Sequence, residues 1–314
     1  MRSRRLGVVL VVLLVVGLAF PAGAWAKNAY SKHIAFARNG YIEVVKSTGT
    51  GARRLTGGAA DAFAPAWDPA HKNVYFARGN RWLVAQDTTP EQVCVVSAAT
   101  KIERVIAITD PGAPAAAQHA ITSITPSRSG KYLFVADLTR TDDSSEQAIG
   151  RIIRVEIGTG ATVELLREQA MTWNGYGDLD ARPGGSHLMF LDVESDATHL
   201  YELKLADHSK RLVKAGIESA CYTPGGSQIV ASSYFGKGYA RDGLRRMTRA
   251  GKTTKTLHTW SRGLLMKAWR LPAYSPTGNR IAITKGVDGG LYTINTSGGG
   301  VKKVAGGPIA GIDW

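Results

Sequence analysis

One phrase recurs along this chain and limits the folds open to it more than any other feature. "AYSPTGNRIAIT" at 273–284 is an aromatic residue, a Ser-Pro-Thr-Gly turn and then an apolar strand, and relatives of it stand at 66–77 ("AWDPAHKNVYFA"), 126–136 ("PSRSGKYLFVA"), 181–192 ("ARPGGSHLMFLD") and 222–232 ("YTPGGSQIVAS"). The shared chemistry is plain. Pro presets φ at the head of a tight turn, Gly two residues later tolerates the conformation the turn demands, and alternating apolar residues bury a strand. Two copies depart from it: Arg128 stands where Pro is expected, and the 69–72 turn has Ala-His-Lys where Gly is expected.

A second phrase of strand, turn and strand follows each first one, as in "RIIRVEIGTGATVELLRE" and "LYTINTSGGGVKKVAGG". Together the two phrases make a four-stranded antiparallel unit. Taking Pro69, Arg128, Pro183, Pro224 and Pro276 as markers, the repeat runs at 59, 55, 41 and 52 residues, around the length of a propeller blade. The chain opens on a strand pair, "HIAFA" and "YIEVVK", without an inner strand before it. "IAGIDW" at 309–314 supplies one, with Trp314 where Trp67, Tyr222 and Tyr274 stand in other copies. The expectation is an all-β, six-bladed β-propeller of four-stranded antiparallel blades, closed by the C-terminal strand joining the first blade. Closure removes the open sheet edge inside the ring.

"PAWDPAHKNVYFA" and "PAYSPTGNRIAIT" resemble the P-x-W-S-P-D-G-x-x-I-A-F phrase of TolB-like, or WD40-like, β-propellers. The resemblance covers nearly all of the chain after its first 26 residues, and it departs from the envelope protein itself in lacking the small α/β domain that precedes that propeller. It implies a mostly non-catalytic fold that serves as a protein-interaction platform in the bacterial envelope, although similar blades also gate prolyl-oligopeptidase-like active sites.

"MRSRRLGVVLVVLLVVGLAFPAGAWAK" reads as a signal peptide over residues 1–26, with three arginines, an apolar run from Leu6 to Phe20 and the small-x-small site Ala24-Trp25-Ala26. Such a run is shorter than the ~20 residues a membrane span needs. The propeller domain is then 27–314, with no transmembrane segment after cleavage, secreted or periplasmic, and expected to be a monomer. The signal segment carries three of the 39 basic residues and none of the 25 acidic ones, leaving a charge of +11. Outside the cell that charge either favours an anionic wall or lipid surface over nucleic acid or reflects a basic proteome with no specific ligand.

Catalytic motifs are missing. There is no Gly-x-Ser-x-Gly elbow, and the seven histidines show no ligand spacing of three or four residues. No catalytic residue, metal or cofactor is therefore assigned. "DVESDATH" places Asp192, Glu194 and Asp196 in a loop that either is solvated or gathers calcium, and "GTGATV" at 158–163 reads as a hairpin turn. Cys94, in the outermost strand of the second blade, and Cys221, in the innermost strand of the fifth, are read as buried free thiols.

Loops that lead into each inner strand share one face of the ring with loops joining each blade's second and third strands. Trp173, Tyr176, Tyr234, Phe235, Tyr239, Arg241, Trp269 and Arg270 fall there, in segments read as joining strands, and aromatics beside arginines have the makeup of interface anchors. The expected function is a secreted, non-enzymatic platform binding an envelope or extracellular protein. The alternative is a carbohydrate-active enzyme or lectin using the central funnel, which two or more converging funnel carboxylates with perturbed pKa values would favour.

Overall fold

The computed structural model describes residues 29–58, 61–79, 91–110, 118–140, 147–171, 176–193, 198–235, 241–261, 269–285 and 289–314. The proposed signal segment lies outside them. In chain order the strands are β1 (His33–Arg38), β2 (Tyr41–Lys46) and β3 (Arg53–Arg54), then β4 (Ala62–Trp67), β5 (Asn73–Arg78), β6 (Gln92–Ser97) and β7 (Glu103–Val105). They continue with β8 (Gln118–Pro126), β9 (Tyr132–Arg140), β10 (Gln147–Glu156) and β11 (Thr162–Met171), followed by β12 (Tyr176–Ala181), β13 (His187–Val193), β14 (Thr198–Lys204) and β15 (Lys210–Ala215). The last are β16 (Ile217–Tyr222), β17 (Gln228–Phe235), β18 (Arg241–Thr248) and β19 (Thr253–Ser261), β20 (Trp269–Tyr274), β21 (Arg280–Lys285), β22 (Leu291–Asn295) and β23 (Lys302–Ala305), and β24 (Gly311–Asp313).

These make six four-stranded antiparallel sheets, five of them consecutive in the chain. The sixth has the order β24-β1-β2-β3, with Ala35 opposite Asp313 and Ala37 opposite Gly311. The C-terminal strand thus completes the first blade as its innermost strand, and inner strands β24, β4, β8, β12, β16 and β20 follow one another around a central axis. The ring is a six-bladed β-propeller.

The turn phrase does the same thing in five blades. The amide of the fourth residue bonds back to the carbonyl of the first, as in Gly130 to Ser127 at 2.9 Å, Gly226 to Thr223 at 2.8 Å and Gly278 to Ser275 at 2.8 Å, and Gly278 sits at φ 70°. Where Gly is missing, His71 bonds to Asp68 at 2.9 Å and itself takes φ 52°, a left-handed conformation that His adopts more readily than most residues.

The core lies between the blades. Second strands such as β5, β13 and β21 are buried at four consecutive positions, because each faces a neighbouring blade on both sides. They are therefore continuous apolar runs and not the alternating strands expected from the sequence. Phe134 and Ala136 of the third blade, for instance, pack with Leu188 and Phe190 of the fourth. Cys94 sits in β6, the third strand of its blade and not the outermost, because β7 adds a short fourth strand; both thiols are free and buried.

Two buried charges on the third and fourth blades are matched by opposite ones. The Glu202 carboxylate, on β14, accepts from the Arg249 Nε at 2.7 Å, from the Tyr222 hydroxyl at 2.7 Å and from Arg211, joining the fourth blade to the fifth. Its pKa is lowered: these donors outweigh the opposing effect of burial. Arg151, on β10, donates to Asp137 and pairs with Asp110 at 2.8 Å.

Candidate functional site

The six inner strands enclose a funnel of about 1890 Å³ lined from one end of the ring to the other. Its wall is shaped by bulges. β4, β12 and β20 each interrupt their ladder, at Phe63/Ala66, Gly177/Asp180 and Arg270/Ala273, with Ala64, Asp178 and Leu271 at φ 48°, 45° and 55°. β8 and β16 bulge one residue earlier than Ser123 and Ser219. Bulges free backbone amides from the ladder, and the neighbouring blade takes them up: Leu179 donates to the Ser123 hydroxyl at 3.0 Å and Leu271 to the Ser219 hydroxyl at 3.0 Å. Where the first blade has Gly311 in place of serine, the facing residue of the second is Pro65, which has no amide to offer.

Two further clasps form near the outer ends of inner strands β24 and β12. Asp313 accepts the Trp67 amide at 2.7 Å and its own neighbour's, Trp314, at 2.7 Å. Asp180 accepts the Tyr222 amide at 2.6 Å. Blades one and four, opposite in the ring, thus each carry a carboxylate that ties the next blade on. Burial pushes the Asp180 carboxyl up to about 6 against the pull of Arg128 and the Tyr222 amide, and it raises Asp313 against the Trp67 and Trp314 amides. Burial lowers His71 nearby. At the equivalent position of the fifth blade burial, with Asp180 and Asp313 adding to it, holds the Cys221 thiol well above the usual range.

The residues expected to form a loop-borne binding face are placed differently in detail. Tyr176 opens β12 and is 3% exposed, its ring edge-on to Phe190 at 5.2 Å; it is a core residue. Tyr234 and Phe235 end β17, Arg241 opens β18 opposite Phe235, and Trp269 and Arg270 open β20 opposite Lys285 and Thr284. These lie in strands and not in connecting segments, because the ladders of the fifth and sixth blades run further than the turn signals suggested. All of these strand ends nonetheless meet at one face of the ring. Trp173 and Tyr239 lie outside the described residues, as do Glu194 and Asp196 of the acidic segment, while Asp192 belongs to β13. Among the described residues no group of three or more His, Cys, Asp or Glu is placed to hold a metal. Sequence reasoning missed Asp180 and Asp313, although acids inside otherwise apolar inner strands, Asp178 and Asp180 in β12 and Asp313 in β24, were the signal.

A closed ring of six blades with hydrogen-bonded clasps around its funnel is a six-bladed β-propeller. No protein-family model matches the chain, and no curated protein matches its sequence. The fold is similar to that of TolB from Acinetobacter baumannii, with TM-score 0.65 at 14% identity over 91% of this chain and 67% of that one. It is similar to a chain of a nidogen/laminin complex, with TM-score 0.66 at 14% identity over 90% and 97%, and to an oligogalacturonate lyase in complex with manganese, with TM-score 0.55 at 18% identity over 85% and 70%. The same architecture therefore serves proteins of different function.

Proposed function

We propose that the chain is exported and acts as a non-enzymatic binding platform for an envelope or extracellular protein, engaging it through the face at which β17 ends and β18 and β20 begin. The observation carrying this reading is that adjacent blades five and six bring Tyr234, Phe235, Arg241, Trp269 and Arg270 to one end of the ring, a composition suited to interface anchors. Similarity of fold to TolB and to the nidogen/laminin complex supports it. Replacing Tyr239, Arg241 and Trp269 by Ala is expected to leave the circular dichroism spectrum unchanged and to weaken capture of a partner from envelope extract, each hot spot costing about 1–3 kcal/mol. A folded triple variant that captures as well as wild type rejects this face.

A second reading is favoured by the raised pKa values of two funnel-lining carboxylates, Asp180 and Asp313, which stand on opposite blades. Against it, both carboxylates already serve as acceptors for the next blade's backbone. Turnover of an oligosaccharide lost in Asp180→Asn with the fold intact would establish that reading.

A further inference from the structure

The opposite face of the ring is built from the turns between first and second strands and between third and fourth, all of them short. Topology gathers there Lys32, Lys46, Lys72, Lys101, Arg128 and Lys252, all exposed; none makes an ion pair among the described residues, although Arg128 also acts on the funnel carboxylates Asp180 and Asp313. The carboxylates beside them are engaged. Asp68 is buried and takes the Lys72 amide at 2.7 Å, Glu156 pairs with Lys131 at 3.1 Å, Asp207 with Lys204 at 2.6 Å and Glu202 with two arginines. This face therefore presents unneutralised positive charge.

A second pattern coincides with it. Among the described residues the exposed large apolar side chains are Ile102 (69%), Val163 (43%), Leu212 (50%) and Val301 (40%), with Val105 further along β7. Ile102 and Val301 immediately precede β7 and β23, Val163 is the second residue of β11 and Leu212 the third of β15. All four outermost strands start from the cationic face, so apolar residues ring its rim.

We propose that this turn-bearing face docks on an anionic phospholipid bilayer, with the lysines and Arg128 over the headgroups and Ile102, Val163 and Val301 at the edge of the contact. Cations alone would suit any polyanion. The apolar rim selects a bilayer, into whose interfacial layer such side chains partition, while basic residues near an anionic leaflet are attracted electrostatically. Docking by this face leaves the end of β17 and the starts of β18 and β20 directed away from the lipid, and the proposal does not depend on what that other face binds.

The test is co-sedimentation of the mature protein with phosphatidylcholine vesicles, with and without phosphatidylglycerol. Binding is expected only with phosphatidylglycerol and is expected to fall as salt shortens the screening length from about 10 Å at 0.1 M to about 3 Å at 1 M. Lys72→Ala with Lys252→Ala is expected to lower partitioning about fivefold per residue, whereas Lys214→Ala with Lys285→Ala, the same change of charge toward the other face, leaves it near wild type. Ile102→Ser with Val301→Ser is expected to weaken vesicle binding while leaving retention on heparin unchanged. Equal losses from both lysine pairs would make the effect one of net charge and overturn the proposal. Vesicle binding indifferent to the apolar pair would also overturn it, assigning the face to soluble polyanions.

Discussion

The Asp313 carboxylate accepts the backbone amide of Trp67 at 2.7 Å, so the last strand of the chain is fastened both to the first blade, by its ladder with β1, and to the second, by this side chain. Deleting residues 308–314 removes both attachments and bares the inner edge of β1. The truncated protein is expected to open and aggregate, read as loss of the monomer peak in size-exclusion chromatography. Retention of the wild-type melting temperature would contradict the closure.

Asp180 makes stability depend on pH. Its folded pKa of about 6 lies above an unfolded value of about 3.9, so its protonated form favours folding fully below about pH 4, and that contribution is lost as pH rises through 6. The loss is on the order of 2–3 kcal/mol. Asp180→Asn keeps an oxygen for the Tyr222 amide without the charge. At pH 7.5 the variant is expected to melt several degrees above wild type, with the gap closing by pH 4.5.

Glu202 joins two blades through three donors. Glu202→Ala leaves the buried Tyr222 hydroxyl without its acceptor and unpairs two arginines that still reach solvent, and is expected to cost about 2–3 kcal/mol. Tyr222→Phe removes one bond and costs about 1 kcal/mol. Urea denaturation of both variants measures the difference, and similar costs would show that the arginines find other partners.

The thiols are expected to be inert. Burial raises the pKa of Cys94 and of Cys221, and thiolate is the reactive form. Native protein treated with iodoacetamide at pH 8 is expected to stay unlabelled by mass spectrometry, with both sites labelled after denaturation. Rapid native labelling of Cys221 would show that the funnel wall admits reagent.

What was legible in the sequence follows from range. The turn phrase is local chemistry: Pro276 and Gly278 act within four residues, so blade number, closure by "IAGIDW" and the hairpin at 158–163 could be read directly. Tyr176 could not, because its burial against Phe190 depends on a neighbouring strand. The ends of β17 and β18 were hidden for a related reason: "SSYF" and "RDG" pair with one another across residues 236–240, and the glycines between them drew the boundary too early. The clasps of Asp180 and Asp313 join residues far apart in sequence but adjacent across a blade boundary. Nothing local in "GDLDA" or "GIDW" distinguishes an acid that holds a ring together from one that meets substrate.

The pairing of β24 with β1 sets the schedule on which this molecule can be finished. Ala35 is synthesised far ahead of its partner Asp313, so the first blade stays a strand short while the other five are made. Contacts this distant in sequence are closed late, after their loop entropy has been met. Until then five complete blades wait beside a three-stranded first blade with an unpaired strand edge, the period when a chaperone or a misplaced strand would find its opening.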